Sequence, residues 1–99
     1  MGPNVFPNAV RPVANLAQAT VGSTSAQSAV VPAGVTFARV LCLTAPICIA
    51  VGSNPTATAD DYFVPAGGEV ILRVAPGERI ASIRAGASDG AARISWIGR

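Results

Sequence analysis

The stretch Val64-Pro65-Ala66-Gly67-Gly68-Glu69-Val70-Ile71-Leu72-Arg73-Val74-Ala75-Pro76-Gly77-Glu78-Arg79-Ile80-Ala81-Ser82-Ile83 holds two short apolar runs, each introduced by proline and glycine. Proline fixes φ and has no N–H to give to a ladder, while glycine accepts the positive φ of a tight turn. Each Pro/Gly group therefore ends one extended segment and aims the next. The same punctuation stands earlier, where Val31-Pro32-Ala33-Gly34 precedes Val35-Thr36-Phe37-Ala38-Arg39-Val40-Leu41. Outward from these turns, strand candidates run over 16–21, 25–31, 36–43, 47–52, 62–64, 69–74, 79–85 and 91–97. No window carries helical periodicity. About eight short strands at a spacing of roughly ten residues predict an all-β chain, an antiparallel sandwich of jelly-roll type.

Residues 1–14 read differently. Pro3, Pro7 and Pro12 exclude helix and push the residue before each of them to extended angles. Val5, Phe6, Val10 and Val13 are apolar for a free tail. The segment is predicted to be an extended arm that lies on another chain, with the sandwich domain following over 15–99.

The 99 residues make one domain. Half of them are apolar, but the apolar set is dominated by Ala and Val, with five aromatics in all. The charged fraction, 12%, is about half of the roughly 25% usual for globular domains. A core of small side chains and a weakly charged surface suggest that association with other protein completes the burial, so a homo-oligomer is expected. All seven basic residues are arginine, in keeping with a GC-rich genome, and a net charge of +2 spread along the chain is no nucleic-acid patch. No apolar run reaches the roughly 18 residues that span a bilayer, and no basic-then-apolar leader opens the chain. Neither membrane nor specific nucleic acid is expected as a partner, and the chain is read as made and kept in the cytoplasm until it assembles.

The alternation of side chains sharpens this. In 36–43, Phe37, Leu41 and Leu43 share a face with Arg39, while Val40 and Cys42 share the other with Thr36 and Ala38. In 47–52, Ile47, Ile49 and Val51 oppose Cys48 and Ala50. If Thr44-Ala45-Pro46 closes a hairpin, the bulky sets form the core face. Val40, Cys42, Cys48 and Ala50 then make a second face of small apolar residues, either inter-sheet core or subunit contact. In that hairpin Cys42 and Cys48 stand opposite one another as reduced, buried thiols. Trp96 is the large anchor expected to close the core, and Tyr62 and Phe63 are core or interface anchors.

Catalytic chemistry has little to stand on. The chain has no histidine, which removes the commonest general base and metal ligand. Asp60 and Asp61 are neighbours and point apart in an extended segment, so they read as charges ending the loop 53–61. Two cysteines do not make a zinc site, and Gly67-Gly68 precedes a strand rather than a helix, so it is no phosphate cradle. No catalytic residue, cofactor or metal site is assigned.

From Ser25 onward the chain resembles small virion proteins of tailed bacteriophages. The resemblance rests on a polar opening strand followed by Val-Pro-Ala-Gly (28–36), Ile-Ala-Val-Gly (49–52) and a Thr/Ala loop with acids (56–62). It continues through a second Val-Pro-Ala-Gly with its Glu-Val strand (63–70) and the Ala-Pro-Gly-Glu turn (74–80). It implies a β-sandwich that acts as a capsid decoration (cement) protein, with the major capsid protein or other virion proteins as partners and the virion as its location. A head–tail connector, neck or tail accessory subunit is the alternative. A carbohydrate- or host-surface-binding module is the second. The family has no catalytic residues to carry over.

Overall fold

A computed structural model describes residues 11–16 and 19–98. Nine strands and no helix are found among them: β1 (Arg11–Asn15), β2 (Ala19–Val21), β3 (Ala26–Gln27), β4 (Val35–Cys42), β5 (Ile47–Gly52), β6 (Tyr62–Val64), β7 (Glu69–Arg73), β8 (Arg79–Arg84) and β9 (Gly90–Gly98). They form two antiparallel sheets. One, sheet A, has the order β1-β9-β4-β7, with β2 also on β9; the other, sheet B, has the order β3-β8-β5-β6. β1 pairs the Ser95–Gly98 end of β9 and β2 pairs the Gly90–Ala92 end, so the two fill a single edge position. Nine elements thus occupy eight places in an antiparallel β-sandwich. From β2 onward every connection except β5–β6 crosses from one sheet to the other.

The turns are where the Pro/Gly groups put them. Gly34, Gly67 and Gly77 have φ of 86°, 78° and 91°, and no other described residue has a positive φ. Two of these turns are tied together, since the Gly77 and Val31 amides donate to the Val31 and Glu78 carbonyls at 3.0 and 2.8 Å. At Gly77 an added Cβ would meet nothing within 4 Å, so a Gly77→Ala change isolates the backbone term. It is expected to lower stability by about 1–2 kcal/mol, read as a shifted denaturation midpoint with unchanged m-value.

The core lies between the sheets: Ala38, Val40 and Cys42 of β4, Ile47 and Ile49 of β5, Val64, Ile80, Ala92 and Trp96, with Val21, Val31, Val35 and Val74. Trp96 closes it, 3% exposed and paired with the small Ala38. The predicted hairpin does not form. β4 and β5 belong to different sheets, and Leu43 to Pro46 is a crossing connection, so each strand turns its own inner face to the core. On β4 that is the small face rather than the bulky one, because Trp96, Ile47, Ile49 and Ile80 already supply the volume and close packing leaves room opposite them for small groups. On β5 Ile47 and Ile49 of the bulky set do face the core, while Val51 is exposed.

Two strands are cut differently from their sequence boundaries. The candidate 16–21 begins earlier, with β1 at Arg11, and is broken into β1 and β2. Residues 11–14 therefore pair with β9 of their own chain, inside the segment assigned to the arm. The candidate 25–31 is reduced to Ala26–Gln27 because Ser28 interrupts the ladder. Its amide donates to the Ile80 carbonyl at 2.8 Å, but the Ile80 amide donates to the Ser28 Oγ at 3.0 Å instead of to a carbonyl.

Among the described residues one buried side-chain polar atom lacks a partner: Thr36 Oγ1 accepts or donates no hydrogen bond. Thr36→Val keeps the shape and removes the hydroxyl. It is expected to leave stability unchanged or to raise it by about 1 kcal/mol, checked by thermal melting; a drop would show that the hydroxyl is satisfied in solution.

Candidate interaction surfaces

The residues singled out in the sequence do not make one patch. Val5, Phe6 and Val10 lie outside the described residues, and Val13 falls in β1. Val40 and Cys42 are fully enclosed in the inter-sheet core, which decides between the two roles left open for them. Cys48 and Ala50 are on the outer side of sheet B, where they pair with Ile83 and Ala81. Cys42 and Cys48 therefore lie on opposite sides of a sheet rather than side by side, and both are free thiols.

The outer side of sheet B is roofed by the loop 53–61. Gln27 Nε2 donates to Asn54 Oδ1 at 2.9 Å and to the Pro55 carbonyl at 2.8 Å, and the Ala57 amide donates to Ser25 Oγ at 2.8 Å. Ala57 is buried as a result, and the Cys48 thiol points to the Ala59 carbonyl at 3.6 Å. The loop ends in a polar turn in which Asp61 Oδ2 accepts from the Thr58 amide and Thr58 Oγ1, at 2.6 and 3.2 Å, and the Asp60 amide donates to Thr58 Oγ1 at 3.3 Å. Ser25 and Gln27, which anchor this roof, were not singled out in the sequence; nothing in a polar strand marks them apart.

Burial raises the pKa of both thiols, and at Cys48 the nearby Asp61 and Asp60 carboxylates raise it further. A raised thiol pKa means that the unfolded chain loses these protons first. The thiols' contribution to stability is therefore whole below the ordinary thiol range and is lost as pH rises above it. Native protein is expected to resist alkylation near neutral pH, and denatured protein without reductant to take up two labels by intact mass. A melting temperature indifferent to alkaline pH, with rapid native labelling, would contradict this burial.

Among the described residues no loop roofs sheet A in this way, although Ile97 on its outer face is buried; this face was missed in the sequence because the expected core was placed there. Three rows cross it: Ile97–Phe37–Arg73, Ser95–Arg39–Ile71 and Arg93–Leu41–Glu69. Arg39 and Glu69 form a diagonal ion pair, and the Arg73 guanidinium sits 5.9 Å from the centre of the Phe37 ring. Three arginines against one glutamate leave two positive charges in excess on this face. Ile71 is 59% exposed in its middle.

Tyr62 and Phe63, on the edge strand β6, are 60% and 55% exposed, so neither is a core anchor. Among the described residues no group of three or more His, Cys, Asp or Glu side chains could hold a metal, and no helix is long and apolar enough to cross a membrane. A cleft of about 260 Å³ opens between the β2 and β3 edges, lined by Leu16, Thr20, Ser28, Ile80, Ser82 and Ile94 among others, without a titratable group. What the surface offers is contact: one side roofed by a loop that ends in two aspartates, and one side with an excess of arginine among apolar groups. No family model matches this chain, and no curated protein or solved structure matches it either.

Proposed function

We propose that this protein is a structural component of a tailed-phage virion that binds the assembled capsid as a decoration protein and stabilises it. The observation that supports the reading is the strand order. With β1 and β2 counted as one edge strand, the order β1/β2-β9-β4-β7 over β3-β8-β5-β6, with crossings at almost every connection, supports a jelly-roll wrapping. Jelly rolls recur in viral capsid and lectin domains. The inference from fold to role is one of analogy, and the turn pattern shared with small virion proteins adds to it. The mechanism is passive: a protein that binds the lattice but not free subunits stabilises the lattice by mass action.

Quantitative mass spectrometry of purified particles tests this. Hundreds of copies per particle are expected; a dozen or fewer indicate the neck or tail, and absence from particles overturns the reading. The exposed Tyr62 and Phe63 favour a carbohydrate-binding module as the second reading, because aromatic faces stack on sugar rings. Binding of the isolated protein on a glycan array, with none to capsids, selects it.

A further inference from the structure

The two outer sides of the sandwich differ in a way that makes each fit the other. Sheet A presents Arg73 and Arg93 among Ile71, Leu41 and Phe37, with its single carboxylate already paired to Arg39. Sheet B presents, at the end of its roofing loop and along its edge, Asp60 and Asp61 followed directly by Tyr62 and Phe63. Neither aspartate has an ion-pair partner among the described residues. The three most exposed large apolar side chains of the described chain are Tyr62, Ile71 and Phe63. Ile71 lies on the outer face of sheet A. Along the β6 edge Phe63, opposite Cys48, stands on the outer side of sheet B, while Tyr62, opposite Ile49, stands on the other. One surface sets arginine among Ile71, Leu41 and Phe37; the other sets aspartate beside Tyr62 and Phe63.

We propose that the outer face of sheet A receives the Asp60–Phe63 segment of a second copy of this chain, so that copies associate head to tail. Two sheet-A faces brought together would set the excess arginines against one another, which disfavours a face-to-face dimer. A heterologous contact of this kind closes into rings or, where the rotation does not close, runs on as a filament. The segment is held ready to bind. Thr58 locks the Asp61 carboxylate, Gln27 and Ser25 pin the loop, and the β5 ladder positions Tyr62 and Phe63, so little ordering remains for the moment of contact. The proposal goes beyond the capsid reading and does not rest on it.

Sedimentation of the wild-type protein at low salt, compared with R73E/R93E and with Asp60→Arg, tests it. All three changes fall on exposed positions, and thermal melting verifies that each variant folds. The wild type is expected to form species larger than a monomer that dissociate as salt is added, and each variant to weaken association about tenfold or more. The decisive measurement is an equimolar mixture of the two variants. R73E/R93E keeps an intact loop and Asp60→Arg an intact face, and the reversed face of the one also attracts the reversed loop of the other, so the mixture should associate where neither variant does alone. A wild type that stays monomeric at about 1 mM overturns the proposal, since any affinity would then be weaker than that. So does association that Asp60→Arg retains, the result a face-to-face contact would give, or a mixture that yields no dimer. If a variant does not fold, the salt dependence of the wild type with the remaining variant decides. The particle content measured for the capsid reading is independent of every one of these outcomes.

Discussion

Replacing Val40 with aspartate is expected to leave no folded protein. Val40 is 1% exposed at the centre of β4, paired with Val70 on one side and Ile94 on the other, and its side chain enters the core beside Cys42 and Ala38. No charged or polar side chain is buried among the described residues, so the carboxylate finds no cation there. Its desolvation costs several kcal/mol, against a total stability of about 5–15 kcal/mol for a domain. The variant should collect in the insoluble fraction, and any recovered protein should lack the dispersed amide spectrum of a packed β-sandwich. A soluble Val40→Asp protein that melts like the wild type would mean that the inner face of sheet A is wet. The placement of the core would then be wrong.

Truncating Trp96 to alanine is the second large effect. Its side chain is 3% exposed and spans the core opposite residues that are small, Ala38 on the paired strand and Ala92 on its own face. Small neighbours cannot swing into the space it leaves, so the cavity persists and the loss should reach the upper part of the range for such changes, about 3–5 kcal/mol. Urea unfolding followed by far-ultraviolet circular dichroism measures it, since the only tryptophan of the chain is gone. Trp96→Phe, which keeps an aromatic ring, should lose less than half as much. A cost below about 1 kcal/mol for the alanine variant would show that the tryptophan is peripheral.

The strands were legible where punctuation was strong. Ile47–Gly52 and Tyr62–Val64 stand where alternation and flanking turns put them, and Glu69–Arg73 and Arg79–Arg84 differ by a residue at one end. Gly34, Gly67 and Gly77 turn with positive φ because proline before them and glycine within them leave the backbone few other ways to reverse. Partnership was not legible. Nothing local in Thr44-Ala45-Pro46 says whether it closes a hairpin or carries the chain across to a second sheet, and the wrong choice inverted the assignment of faces on β4. Ile71 shows the same limit. An isoleucine between Glu69 and Arg73 satisfies both a buried strand and an exposed one, and only the position of β7 at the edge of sheet A decides. The contact surfaces were hidden for this reason, since they are made of rows that cross three strands distant in sequence.

The place of β9 has a consequence for how the chain is born. This strand lies between β4 and the edge shared by β1 and β2, and among the described residues it is the only partner that β1 and β2 have in the sheet. During synthesis the first strands therefore leave the ribosome with nothing to pair against, and β4 waits with one side open. Sheet A closes only when β9 emerges. Contacts so distant along the chain also form slowly, because the intervening loop must be ordered before any pairing rewards it. A nascent chain stalled short of Gly90 should be open to proteases along β1, β2 and β4, whereas emergence of β9 should bring protection there in one cooperative step.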